Sequence, residues 1–156
     1  MLKSLRIEGY ALIDSIEINW EPGMTALTGE TGSGKSIVLG ALGLVLGERA
    51  DAQVIRSGAS KCLVEAVFDA DLTLWLEEHN LDAEPELVVR REVTAKGRSR
   101  AFINDTPVAV GDLRSLGAQL VDLHGQDDTR ALAERERRLQ VIDGFGGHQA
   151  ELLGYT

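Results

Sequence analysis

Gly29, Gly34, Lys35 and Ser36 stand at the spacing G-x-x-x-x-G-K-[ST], with Glu30, Thr31, Gly32 and Ser33 filling the interval. Residues of these types in this order suit one task, the grip of a phosphate chain. Glycine reaches backbone angles that other residues avoid, so successive N–H groups can turn into one concavity that accepts anionic oxygens. A helix starting at that point adds its unpaired N–H groups and the positive end of its dipole. Lys35 is then placed to reach the β- and γ-phosphates of ATP, and the Ser36 hydroxyl to ligate Mg²⁺. Glu30, Thr31, Gly32, Ser33 and Ile37 complete the expected cofactor-binding set. A glycine-rich turn with an incidental lysine is the bland alternative, and the flanking pattern weighs against it.

That pattern is what must position the loop. An apolar run at 24–28 predicts a strand entering it, and a helix leaves it near Ser36, the arrangement the motif requires. Ile37, Val38, Ala41, Leu42, Val45 and Leu46 make this helix apolar almost all round, so burial against a sheet is expected, with Gly47 as its stop. Upstream, Leu5 and Ile7 alternate with Arg6 and Glu8, and Ile16, Ile18 and Trp20 repeat the alternation. Two edge strands are expected there, followed by a turn at Glu21-Pro22-Gly23. Downstream, 48–60 reads as a loop carrying Arg49 and Arg56, 61–69 as a strand, and 72–79 as a short helix capped by Asp71. The runs 86–94 and 99–104 form a hairpin about 95–98, and the chain turns again at Asn104-Asp105-Thr106-Pro107. A helix is expected over 110–120, and 119–123 is compatible with a core strand. A charged helix with Leu132, Leu139 and Ile142 at near-heptad spacing follows, interrupted by Gly144-Phe145-Gly146-Gly147.

The chain of 156 residues has 44% hydrophobic residues and a net charge of −9, which fits a soluble domain and excludes a protein coated in positive charge. Its one cysteine, Cys62, can make no internal disulfide and reads as a buried thiol in a reducing compartment. No apolar run approaches the roughly 18 residues needed to cross a bilayer. A cytoplasmic protein with no membrane association is expected.

Triphosphate hydrolysis needs more than this loop: a carboxylate for the Mg²⁺ shell, normally ending an apolar strand, and a group that positions water. No run of about four apolar residues leads into Asp-Asp or Asp-Glu. Asp122 follows too short a run, and Asp69 is followed by alanine. Two rival readings stay open on the residues alone. One is a self-contained phosphotransferase using Asp122 or Asp69. The other is a non-hydrolysing ATP-gated interaction module.

The opening through Asp51 and the downstream Val121-Asp122-Leu123-His124-Gly125-Gln126 together resemble the amino-terminal half of bacterial DNA repair ATPases of the structural-maintenance-of-chromosomes (SMC) family. The most specific segments are Ala11-Leu12-Ile13-Asp14, the phosphate loop and Leu123-His124-Gly125-Gln126. The resemblance implies an α/β fold, the amino-terminal lobe of an ABC-type ATPase head with a mixed β-sheet around the phosphate-loop helix, spanning 1–130. It implies the start of a helical coiled-coil arm at 131–156. In that family a carboxy-terminal lobe supplies the signature motif and the catalytic carboxylates, and ATP binding pairs one head with a second. The resemblance gives Gln126 a place at Mg²⁺ and the attacking water, beside Lys35, and gives Arg56 a place in an arginine loop near nucleotide or DNA. It also implies ATP-dependent head pairing and DNA tethering in double-strand-break repair, near the nucleoid, with 1–156 alone inactive as an ATPase. Separately, Arg90, Arg91, Lys96, Arg98 and Arg100 gather on one predicted hairpin and suggest contact with DNA phosphates.

Overall fold

The computed structural model of the chain describes residues 1–30, 34–121 and 123. Two compact units divide it, Met1–Asp122 and Leu123–Thr156, and the description below is of the first. Alternation of apolar and polar residues builds six strands: β1 (Leu2–Tyr10), β2 (Ile13–Asn19), β3 (Lys61–Phe68), β4 (Leu87–Thr94), β5 (Ser99–Ile103) and β6 (Thr106–Val108). They form one sheet in the order β2-β1-β3-β4-β5-β6, with every pairing antiparallel. Because side chains alternate across a strand, one register decides which residues face the core. Leu5 and Ile7 of β1, Cys62, Val64, Ala66 and Phe68 of β3, and Leu87, Val89 and Val93 of β4 share one buried face.

Two helices cover that face. The first, α1 (Lys35–Val45), packs on β1, β3 and β4 and buries Ala41, Leu44 and Val45. A short α2 (Thr73–Glu78) follows β3, and α3 (Val110–Leu120) packs on β5 through Leu113 and Leu116, both fully buried. Each large apolar side chain moved from water to this interior contributes about 1.5–3 kcal/mol before chain entropy is subtracted. Asp71 stands one residue ahead of the α2 cap position, where Oδ1 accepts from the Thr73 N–H at 3.2 Å and its hydroxyl at 2.8 Å. Those two hydrogen bonds hold the Asp71 carboxyl below its usual range.

The carboxy-terminal end of α1 meets α3 backbone to backbone. Gly47 ends the helix at φ 94°, and a Cβ there would lie 2.7 Å from the backbone of Arg114. Gly117 on α3 faces Leu46, whose carbonyl oxygen would lie 2.6 Å from an added Cβ. Arg114 Nε donates to the Gly47 carbonyl at 3.3 Å.

Several expectations are corrected. Residues 24–28 form no strand: a strand needs a hydrogen-bonded neighbour, and no strand of this sheet pairs with them. Met24 is 97% exposed and Leu27 50% exposed, so their apolar character is not spent on this core. Where a mixed sheet was expected, the described sheet is antiparallel throughout. Of the two amino-terminal strands only β2 is an edge, since β1 lies between β2 and β3. The apolar wrap of α1 is buried on one side only, and Leu39 remains 55% exposed. In the 119–123 run, Gln119 and Leu120 belong to α3 rather than to a strand. The strand β6 was read as turn, because three residues including Pro107 give too little pattern. The charged helix, Asp122, the segment 124–130 with Gln126, and the glycine-rich interruption lie outside the described residues.

Gly47→Ala should destabilise the chain by about 2–4 kcal/mol, because a left-handed residue would gain a Cβ that also strikes the α3 backbone. Gly97→Ala, at φ 76° but with nothing within 4 Å of its Cβ, should cost only about 1 kcal/mol. Urea denaturation of both variants checks the difference.

Candidate functional site

Gly34 takes φ 97° and ψ −3°, and its carbonyl accepts the Ile37 N–H at 3.0 Å and the Val38 N–H at 3.1 Å to start α1. No side chain caps this helix and no acid lies in its first turn. No carboxylate of the first turn therefore neutralises the positive end of the dipole, which suits an anion. Lys35 folds back along the loop: its Nζ donates to the Gly29 carbonyl and, at 2.8 Å, to the Glu30 carbonyl. The ammonium thus lies beside the carbonyls of the first two residues of the motif. Ser36 is exposed at the same helix end, next to Lys35 and Ile37. Thr31, Gly32 and Ser33 lie outside the described residues.

These groups fit a nucleoside triphosphate with Mg²⁺. An uncapped helix end and one ammonium match phosphate oxygens, and an exposed hydroxyl matches one position of an octahedral cation. Among the described residues no three carboxylates, histidines or cysteines gather to hold a metal. A cation here would take its other ligands from phosphate, water or groups beyond these residues. Bound Mg²⁺ would bridge and neutralise phosphate oxygens.

Arg56 is held by backbone more than by its charge. Its N–H donates to the Gly9 carbonyl at 2.9 Å, the Ala11 N–H donates to the Val54 carbonyl at 2.6 Å, and Tyr10 bridges Ile55. A single 3-10 turn at Ala52–Val54, capped by Asp51, leads into this staple. The guanidinium lies 3.6 Å from Asp14 with both side chains well exposed. Asp69, the rival acceptor, is at the other end of β1: its N–H donates to the Met1 carbonyl at 2.8 Å and its carboxylate lies 4.0 Å from Lys3.

The hairpin arginines do not act as one set. Arg90 is spent on structure, 2.9 Å from Asp105, 3.6 Å from Glu65, and stacked over the Phe102 ring at 4.7 Å. Arg91 is 2% exposed on the core face, with Nε and Nη1 lacking a hydrogen-bond partner. Burial lowers its pKa, and Arg114 nearby lowers it further. Arg91 is thus buried, while Arg90 stays a quarter exposed with its guanidinium engaged by carboxylates. Lys96, Arg98 and Arg100 are exposed.

The model of the RecF/RecN/SMC N terminal domain matches residues 1–121. The chain belongs to that family. It is 43% identical to the DNA repair protein RecN of Vibrio cholerae over its whole length, and 36% identical to that of Bacillus subtilis over 97% of it. The chain spans 29% and 27% of those two relatives, under a third of either. Among solved structures it is similar to the Smc head domain with a coiled coil and joint from Pyrococcus yayanosii. The TM-score is 0.71 at 22% identity, covering 96% of this chain and 33% of that one. It is also similar to an SMC ATPase described for its ATP-driven dimerization and DNA-stimulated activation, with TM-score 0.66 and 23% identity, covering 91% and 98%. The fold is that of an SMC-type ATPase head lobe.

Two positions near these groups escaped the sequence reading. Asp14 stood in the quoted Ala11-Leu12-Ile13-Asp14 segment but had no role until the fold brought it to Arg56. The burial of Arg91 had a signal: Leu87, Val89, Arg91 and Val93 share one strand parity. Replacing the unpaired guanidinium by an apolar chain of similar length removes a buried polar group worth about 1–3 kcal/mol. Arg91→Met should raise the stability of this chain by that order, whereas Arg91→Ala, which leaves a cavity, should gain less. Urea midpoints of the two variants distinguish them.

Proposed function

We propose that residues 1–130 are the ATP-binding lobe of an SMC-like ATPase head acting in the recombinational repair of DNA double-strand breaks, and that 131–156 begin its helical arm. The observation that carries this reading is the uncapped start of α1, with Gly34 at positive φ and the Lys35 ammonium drawn across the loop carbonyls. Membership of the family, and the name DNA repair protein RecN carried by relatives 36–43% identical, support the biological setting.

In this reading, Gly29, Glu30, Thr31, Gly32, Ser33, Gly34, Lys35, Ser36 and Ile37 hold the phosphates. Ser36 and Gln126 ligate Mg²⁺, Gln126 also orients the attacking water, and Arg56 reaches the nucleotide from its backbone staple. The catalytic carboxylate and signature motif belong to a carboxy-terminal lobe and to a second head that docks when ATP is bound. Four of the large apolar residues exposed among the described residues support a covering lobe: Met24 and Leu27 before the loop, Leu39 on α1, and Ile16 on β2. Ile16 pairs with Ile7 and so shares its face, yet is 41% exposed where Ile7 is fully buried. Contact with DNA belongs to the assembled protein, and its cellular place is the cytoplasm close to the nucleoid.

Residues 1–156 should bind a fluorescent ATP analogue, and Lys35→Ala should weaken that binding by about 10–100-fold, the loss of a charge-assisted hydrogen bond being worth roughly 1.5–3 kcal/mol. No phosphate release above the Lys35→Ala background should be seen from this chain alone. Binding indifferent to Lys35 sinks the phosphate-loop assignment, and Lys35-dependent turnover sinks the need for a second lobe.

A further inference from the structure

Register places cations from three strands on one patch of the sheet face turned away from α1 and α3. On β4, Arg91 and Val93 face the core, so Glu92 and Thr94 face outward. Lys61 pairs with Thr94 and Arg100 pairs with Glu92, which puts both cations on the outer face. Arg98 is tied to Thr94 by backbone: the Thr94 N–H donates to its carbonyl at 2.9 Å, and its own N–H donates to Thr94 Oγ1 at 3.2 Å. Lys96 sits in the connecting turn. Lys61, Lys96, Arg98 and Arg100 are all exposed and together line a shallow pocket of about 490 Å³ whose one carboxylate is Glu92.

That carboxylate is already engaged, 3.5 Å from Lys61. Among the described residues, Lys96, Arg98 and Arg100 enter no ion pair. Arg90, on the outer face of β4, is by contrast paired twice over, with Glu65 and Asp105. Four cations against one carboxylate is also the reverse of the chain's overall balance, 16 against 25. Like charges gathered without partners repel one another unless an outside anion relieves them.

We propose that Lys61, Lys96, Arg98 and Arg100 form a seat for the phosphate backbone of duplex DNA. The proposal rests on the DNA-repair reading above. It removes Arg90 and Arg91 from the cations the sequence suggested and adds Lys61. Arg98 and Arg100 are about 7 Å apart along a strand, and Lys61 is about 10 Å from Arg98 across two strand spacings. A patch of that size follows a run of phosphates on one strand and does not reach across a major groove of about 12 Å, so the contact positions DNA without reading its sequence.

The test uses the protein at its natural length and measures duplex binding by anisotropy between about 50 and 200 mM salt. Substituting Lys61, Lys96, Arg98 and Arg100 together by glutamine should reduce the slope of log affinity against log salt by roughly 3.6, since each phosphate contact contributes about 0.9. Two duplexes of unrelated sequence should lose affinity equally, and Arg90→Gln should leave the slope unchanged. Lys35-dependent binding of the ATP analogue reports that the quadruple variant is folded. Should it fail that control, Arg98→Gln with Arg100→Gln alone should reduce the slope by roughly 2. A wild-type slope in a folded variant overturns the seat and leaves the repair reading intact. Absence of any DNA binding by the unsubstituted protein overturns both.

Discussion

Everything in this lobe depends on α1 being held by only one of its ends. Its carboxy-terminal half carries Ala41, Leu44 and Val45 into the sheet and meets α3 through Gly47 and Gly117, where no side chain separates the two backbones. Its first turn lacks the usual cap and the usual acid. A helix so anchored can present unneutralised N–H groups to a ligand without the loss of its own position, because the fixing contacts lie one to three turns away. Had Asp or Glu occupied the first turn, the helix would be better stabilised alone and a poorer phosphate site. Lys35, donating to the carbonyls of Gly29 and Glu30, keeps its ammonium close to the same helix end.

How far this was legible depended on whether the partner of each residue lies within the chain. Alternation in β1, β3 and β4 could be read directly because each strand finds its neighbours here, and Gly47 stopped α1 as its sequence position suggested. The run 24–28 has the same apolar character, yet it takes no place in this sheet. Sequence pattern reports that a segment wants burial but not against what. The hairpin cations divide between the two faces for a different reason. Proximity in sequence was taken as proximity on a surface, but the period of two separates Arg90 from Arg91 across the sheet, and pairing across strands brings in Lys61 from thirty residues or more upstream. The start of α1 beside Gly34 was legible because the loop motif encodes backbone geometry at consecutive positions.

The two faces of the sheet solve unlike problems. The inner face excludes water, and Arg91, the one charged residue buried among the described residues, lacks partners for two of its nitrogens. The outer face stays wet and is laced by ion pairs, Arg90 with Glu65 and Asp105, and Lys61 with Glu92. Exposed pairs of this kind are worth little singly, about 0–1 kcal/mol, so their role is to keep a broad sheet face soluble and correctly registered. Where the pairing stops, beyond Glu92 toward the hairpin turn, the cations are left to outside solvent or an outside anion.

The same accounting bears on completeness. A sheet of six strands covered on one face by two helices of 11 residues leaves its β2 edge uncovered, and Ile16 records this on a core-facing position. An edge strand with apolar residues facing inward and water in place of a covering layer is a liability for an isolated domain, prone to association. The liability vanishes if a second lobe covers this edge and supplies a strand neighbour to 24–28, two demands that arise from different parts of the chain. One partner meeting both is a simpler arrangement than two unrelated ones, and it would bring its own groups beside the phosphate loop that 24–28 leads into.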